Sequence, residues 1–497
     1  MLFNSLQFLI FLPIVVVMYY LIPARVKHLW LLLCSYYFYM CWNAVYALLM
    51  LLSTLVTYCC GLGLEGLKQS PLEGRPLLLR RRLVLWMSLG INLAILFFFK
   101  YFNFAIDSLN ALLSPLGFQL HHPAFDVLLP VGISFYTFQA LGYTIDVYRG
   151  EIAAEKNFFR YALFVSFFPQ LVAGPIERSK NLLSQLAVPH RFSFDNLREG
   201  FLLMLWGFFL KIVIADRAAI LVDTVYGSYT DFGGFFVIVA TVFFAFQIYC
   251  DFGGYSAIAM GTAKMLGVQL MDNFNSPYLS LSCGEFWRRW HISLSSWFRD
   301  YVYIPLGGNR KGKLRKYLNL MITFGVSGLW HGANWTYVIW GLLNGFYQVA
   351  GDLLKPVRES FCRFFALNPD SLGHRCVRTV LTFTLIDLSW VFFRASSVSA
   401  ALHMLRSCFY LRPLVLFDGS LLCLGLDGPN MALLLLSIFV LCFADILKHR
   451  GVRLRDVLIR QDVWFQAIFV GLAAAAILLF GIWGSAYDAA SFIYFQF

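Results

Sequence analysis

From the first residues to the last, long apolar stretches alternate with short polar loops. The stretches occupy residues 6–22, 29–39, 44–62, 83–99, 127–147, 201–221, 235–263, 317–349, 377–393, 431–447 and 463–482. Nearly all are long enough for a helix to cross roughly 30 Å of hydrocarbon. In lipid a helix also satisfies its own backbone donors and acceptors. The pattern predicts an all-α polytopic membrane protein with about 11 transmembrane helices. The stretch 29–39 is short unless it runs into 44–62. A further apolar run, "FFRYALFVSFFPQLVAGP", is interrupted by Pro169 and Pro175 and reads as re-entrant. The first stretch is followed by "PARVKHLW" rather than by a small-residue cleavage site, so it is expected to remain as the first helix.

Charge sets the expected orientation. The loops holding Arg25 and Lys27, 80–82, 149–160, 264–316, 358–378 and 448–460 are rich in Lys and Arg and should be cytoplasmic. The segments "DSLNALLSPLGFQLHHPAFD" and "VDTVYGSYTDFGG" carry neither and should face outside, as should both termini. One stretch breaks this alternation, because the loops before and after 317–349 are both basic. The stretch is therefore expected to dip in and return, breaking near Gly328, His331 and Gly332. Irregular backbone at membrane depth requires burial in protein or a cavity to line.

Of the 497 residues 60% are hydrophobic and 13% charged, with a mean hydropathy of +0.69, against roughly 45–50% apolar and 25% charged in soluble domains. No segment reads as a soluble catalytic domain. Residues 1–497 are expected to form one integral-membrane domain whose chemistry is built among helices. The net charge of +12 is spread over loops as the positive-inside rule requires, so no nucleic-acid partner is expected. Eleven cysteines are scattered without a C-x-x-C pair, mostly inside apolar runs where thiols act as small hydrophobes, and predict neither disulfides nor a metal site.

Several motifs mislead. "GGNRKGK" matches a phosphate-binding loop, but Leu314 stands where a Ser or Thr would hold magnesium, and no strand precedes it. "NWT" at Asn334 matches a glycosylation acceptor within an apolar segment. There is no G-x-S-x-G and no H-E-x-x-H, and His121 with His122 reads as a solvated loop pair.

Two histidines stand apart from the rest. His331 lies inside an apolar stretch between Trp330 and Gly332. His291 lies in the loop 264–316, the densest polar region of the chain and one crowded with aromatics. Ser282 followed by Glu285 reads as a capping box opening a helix. On that helix Trp287, His291, Leu294 and Phe298 would share an apolar face, with Arg288, Ser295 and Arg299 on a separate stripe. Desolvation favours a neutral imidazole at His331, which suits a general base. Asn334, one turn on, would orient that ring or donate to an oxyanion, and a helix-helix hydrogen bond is as good an account of it. Trp330 and Trp335 would wall the site against water.

The blocks "LVAGPIERSKNLLSQL", "YCDFGGYSAIAMG", "EFWRRWHISLSSWFRDYVYIPLGGNRKGKLRKYLNL" and "SGLWHGANWTYVIWG" resemble the membrane-bound O-acyltransferase family, in its bacterial branch of alginate O-acetylation proteins. The likeness runs from "LPVGISFYTFQALGYTIDVYRG" to the closing "SFIYFQF". It implies a ring of tilted helices around a central tunnel. It also implies a catalytic role for the histidine of "LWHG", here His331, and a second polar position, here His291, which many eukaryotic relatives fill with Asn. No tightly bound cofactor is implied. The donor would be acetyl-CoA or another acyl thioester, and the acceptor a polysaccharide hydroxyl.

The resemblance further implies an extracytoplasmic SGNH-type acetyltransferase as partner and a multi-pass place in a bacterial inner membrane. Arg288, Arg289, Arg310, Lys311 and Lys313 would meet the donor's phosphates, although the positive-inside rule accounts for them nearly as well. Two other functions compete. Within the family it is D-alanyl transfer to teichoic acid. Outside it is a transporter or flippase of envelope precursors with His331 as proton relay, against which the chain shows no internal repeat.

Overall fold

The computed structural model describes residues 1–483 apart from 72, 119, 121–128, 173 and 412. The His121–His122 pair and the closing "SFIYFQF" lie outside the described residues. Helices fill the described chain, with no strand among them. Contacts group it into two units, Met1–Met204 with Ile258–Met271, and Leu205–Ala257 with Asp272–Phe497.

The first unit holds α1 (Leu6–Leu21), α2 (Lys27–Met40), α3 (Tyr46–Lys68), α4 (Gly74–Leu96), α5 (Phe102–Leu113), α6 (Ile133–Arg149), α7 (Phe158–Ser166), α8 (Phe168–Leu171), α9 (Ser179–Leu186) and the start of α10 (Phe194–Phe208). The second holds the end of α10, α11 (Asp216–Gly227), most of α12 (Gly234–Met265), α13 (Cys283–Arg289), α14 (Ile292–Phe298), α15 (Lys313–His331) and α16 (Trp335–Leu353). It continues through α17 (Lys355–Phe364), α18 (Leu372–Arg394), α19 (Val398–Ser407), α20 (Gly428–His449), α21 (Leu454–Ile459) and α22 (Val463–Phe480).

Among the described residues six helical stretches are long and apolar enough to cross a membrane: Tyr46–Lys68, Gly74–Leu116, Gly234–Met265, Leu372–Arg394, Gly428–His449 and Val463–Phe480. The shorter α1 is also apolar. Leu472, Leu478 and Leu479 of α22 are exposed, a surface suited to lipid rather than water. The run with Pro169 is interrupted as its sequence suggests. α7 stops at Phe167, the Phe168 amide donates to the Ser35 hydroxyl at 3.1 Å, and Pro169 opens the short α8. Both short helices are buried from Tyr161 onward, so protein rather than lipid surrounds the break.

Two features stand out in the second unit. The stretch expected at 201–221 is helical, but its middle, Phe209–Ala215, widens into a π segment carrying Lys211. The stretch expected at 317–349 is two helices. α15 ends at His331, Gly332 is extended, and α16 begins after Asn334, whose side chain accepts from the Thr336 amide at 3.0 Å. α15 and α16 pack closely. A Cβ on Gly328 would lie 2.2 Å from the Tyr337 carbonyl oxygen, and one on Gly341 would lie 2.3 Å from that of Phe324. Only glycine permits this approach, as at small-residue contacts between membrane helices. The break expected near His331 is there, and it makes a hairpin.

Candidate active site

His331 is the last residue of α15 and is 4% exposed, turned into protein and away from any lipid face. Its ring packs against Trp330 and Trp340 at 5.0 Å each and against Phe393 at 5.5 Å. The His291 ring lies 6.2 Å away, and is itself 1% exposed. Phe252 of α12 meets His291 edge-on at 4.6 Å, and Trp330 lies 6.1 Å from it. Burial, and after it the neighbouring His331, hold His291 well below its ordinary value, so it is neutral at pH 7.

The backbone delivering His291 departs from expectation. The single helix predicted from Trp287 to Phe298 is two helices, and His291 stands between them in the left-handed region, at φ 42° and ψ 54°. Long-range hydrogen bonds replace the helical ones. The Asn275 amide donates to the Arg289 carbonyl at 2.9 Å, and the Ile292 amide to the Asn273 carbonyl at 3.0 Å. The Asn273 side chain accepts from the Ser293 hydroxyl at 2.6 Å and donates to Ser256 at 3.1 Å. The apolar face expected for a continuous helix is thereby cut, and His291 turns inward by itself. A non-glycine residue held at positive φ is costly and concentrates at functional positions. The start of α13 follows its sequence signal. Ser282 accepts from the Glu285 amide at 3.2 Å, while the Glu285 carboxylate reaches back to the Leu281 amide at 2.9 Å.

An aromatic wall, most of it not anticipated, surrounds the pair. Trp340 stacks on Trp390 of α18 at 5.6 Å, and Trp390 meets Trp290 at 5.2 Å and Phe393 at 5.3 Å. Asn344 ties the wall together. It accepts from the Trp287 indole at 3.2 Å and donates to the Trp340 carbonyl at 2.9 Å and Ser389 at 3.2 Å. Trp335, expected in the wall, is 53% exposed at the start of α16, and Trp340 packs on the imidazole instead. Asn334 spends its side-chain oxygen capping α16.

The basic residues divide. Arg289 is engaged by Glu285 at 2.8 Å, the Asn275 carbonyl at 3.3 Å and His449 at 3.0 Å. Arg288, Arg310, Lys311 and Lys313 are exposed. The "GGNRKGK" segment is a series of turns leading into α15, with no strand before it.

A buried ion cluster also went unmarked in the sequence. The Lys211 ammonium bridges Asp216 at 2.7 Å and Asp251 at 2.6 Å, all three nearly inaccessible. Ionisable residues inside apolar stretches were its available signal.

These features coincide with a known family. The profile of the membrane-bound O-acyltransferase family matches residues 150–385, which contain both histidines. A probable alginate O-acetylase AlgI of Pseudomonas putida is 41% identical over 415 residues, covering 82% of this chain and 80% of the relative. A peptidoglycan O-acetyltransferase of Helicobacter pylori is 34% identical over 440 residues, covering 82% and 79%. A teichoic acid D-alanyltransferase of Streptococcus thermophilus is 32% identical over 239 residues, covering 45% and 56%. The chain belongs to the membrane-bound O-acyltransferase family and is a multi-span membrane enzyme.

Proposed function

We propose that this enzyme takes an acetyl group from a cytoplasmic thioester, acetyl-CoA or a carrier-protein thioester, and passes it towards a hydroxyl for O-acetylation of an extracytoplasmic polysaccharide. One observation carries the reading: two imidazoles from distant parts of the sequence lie buried 6.2 Å apart at a break between helices. A hydroxyl attacking a thioester carbonyl must lose its proton as the new C–O bond forms and the C–S bond breaks. His331 accepts that proton and returns it to the departing thiolate, a role typically worth about 10²–10⁴-fold in rate. His291, neutral through burial, donates from a ring N–H to the developing oxyanion. Trp330, Trp340 and Phe393 keep water from the acyl group.

Asn334 acts through the backbone, holding the turn that follows His331. The exposed cations Arg288, Arg310, Lys311 and Lys313 meet the donor's phosphates, which makes the segment 264–316 part of the catalytic core. Arg289, already bonded on three sides, holds the base of α13. A bacterial plasma membrane is the setting, and an extracytoplasmic SGNH-type acetyltransferase is the partner that finishes delivery. The names of the relatives support acetyl over D-alanyl transfer, since the O-acetylase likeness spans four-fifths of this chain and the D-alanyl likeness less than half.

The test uses purified protein in lipid nanodiscs with radiolabelled acetyl-CoA, read as label moved to a hydroxyl acceptor and as free thiol released. His331→Ala should remain folded and lose transfer. A folded His331→Ala protein that still transfers label overturns the role of His331. Absence of any thioester consumption by the intact enzyme, together with movement of envelope precursors across the bilayer, would instead favour the transporter.

A further inference from the structure

Away from the histidine pair, the first unit contains a small pocket, partly open to solvent, formed at the starts of α2 and α7 and by the turn after α9. Tyr19, Lys27, His28, Arg160, Gln185 and His190 are among the residues lining it, and none of its lining residues is an acid. Lys27 is 9% exposed. Its ammonium donates to the His190 carbonyl at 2.8 Å and sits over the rings of Tyr19 and Tyr20, at 4.7 and 5.3 Å. Arg160 pairs with Glu155 at 3.3 Å, outside the lining, while its Nε is buried with no hydrogen-bond partner.

The two imidazoles feel this crowding. Burial first, then Arg160, hold His28 below its ordinary value. Burial holds His190 down too; its bond to the Gln185 carbonyl opposes this, and Lys27 adds a smaller push downward. Two cations and two imidazoles thus share one small space, and Glu155 balances only one of the charges. Leaving buried N–H donors unsatisfied and like charges close together is costly unless an anion enters. A guanidinium and an ammonium facing one cavity are the donors that bind phosphate oxygens best, one as a planar fork and one as a point charge.

We propose that this cavity is a binding site for a phosphate ester. Two sources carry that chemistry, an anionic phospholipid headgroup and a free nucleotide phosphate. The flanking basic loops belong to the side that the charge bias assigns to the cytoplasm, where the leaflet is anionic and juxtamembrane basic pockets capture headgroups. Both arms are independent of the acyl-transfer reading. Binding, not turnover, is therefore the quantity to measure, so that failure of one does not imply failure of the other.

The full chain, purified in a neutral detergent, is melted in the presence of increasing short-chain phosphatidylglycerol, short-chain phosphatidylcholine, or 3′,5′-ADP. The expected result is a saturable rise in Tm with phosphatidylglycerol or with 3′,5′-ADP, well beyond that with phosphatidylcholine. Lys27→Met keeps an unbranched apolar side chain and removes the charge, and should raise the half-saturating concentration at least about tenfold. His28→Gln, which leaves Lys27 and its packing in place, should raise it less. A response to the lipid alone assigns the lipid source, to 3′,5′-ADP alone the nucleotide, and to both a site open to either. Unchanged half-saturation in folded Lys27→Met and His28→Gln proteins, or no response of the intact protein to either phosphate, overturns the proposal. If Lys27→Met does not fold, His28→Gln with Arg160→Gln decides.

Discussion

His291 has the least comfortable backbone in the site. Holding a histidine at φ 42° costs of order 1–3 kcal/mol, supplied by the Asn273 and Asn275 hydrogen bonds on either side. This has a consequence for substitution. Asn is among the few residues that tolerate the left-handed region, and its amide retains a donor. His291→Asn should therefore fold with a melting temperature close to that of the parent and keep measurable transfer, whereas His291→Leu should lose both stability and activity. Thermal melts alongside transfer assays check this. A well-folded His291→Asn protein as inactive as His331→Ala would show that the imidazole itself, and not merely a donor at that point, is required. The sequence marked His291 by its residue type and aromatic surroundings. Its turn was hidden, because helical periodicity assumes local hydrogen bonding and here distant backbone partners win.

At the scale of the element, the hairpin of α15 and α16 rests on glycine contacts. Gly328→Val would drive side-chain atoms into the Tyr337 carbonyl, and overpacking of this kind typically costs about 1–3 kcal/mol. It should lower Tm and reduce transfer, because His331 sits three residues on, at the end of the same helix. Gly351, in α16, has nothing within 4 Å of a built Cβ. Gly351→Ala should be neutral or stabilising by up to about 1 kcal/mol, from helix propensity. Equal damage from the two substitutions would mean that close packing of the hairpin is not what Gly328 provides. This element was legible in advance. Its basic flanks and glycines act within a few residues of the break, whereas the capping by Asn334, expected to orient the His331 ring or bond between helices, appears only in the structure. Trp340, by contrast, is in sequence one more apolar residue of the stretch 317–349, and only its stacking on Trp390 and its contact with His331 make it part of the site.

At the scale of the whole molecule, the orientation proposed across the bilayer rests on loop charge. Lys311 lies in an exposed basic segment between α14 and α15. In a background whose native cysteines are shown to be silent, Lys311→Cys should resist an impermeant thiol reagent in intact cells and react after permeabilisation. Ready labelling in intact cells would invert the orientation and put the donor entrance on the opposite face. The all-helical, membrane-spanning nature of the chain, the break at His331 and the capping of α13 all follow from hydrophobicity, charge and caps. Those forces act over a turn or two and are written in adjacent residues. The inward turn of His291, the indole wall from α13, α16 and α18, and the Lys211–Asp216–Asp251 cluster join residues far apart in the chain. Their geometry depends on which buried donor meets which acceptor once the helices pack, and a burial penalty for unpaired polar groups selects among arrangements that local pattern leaves open.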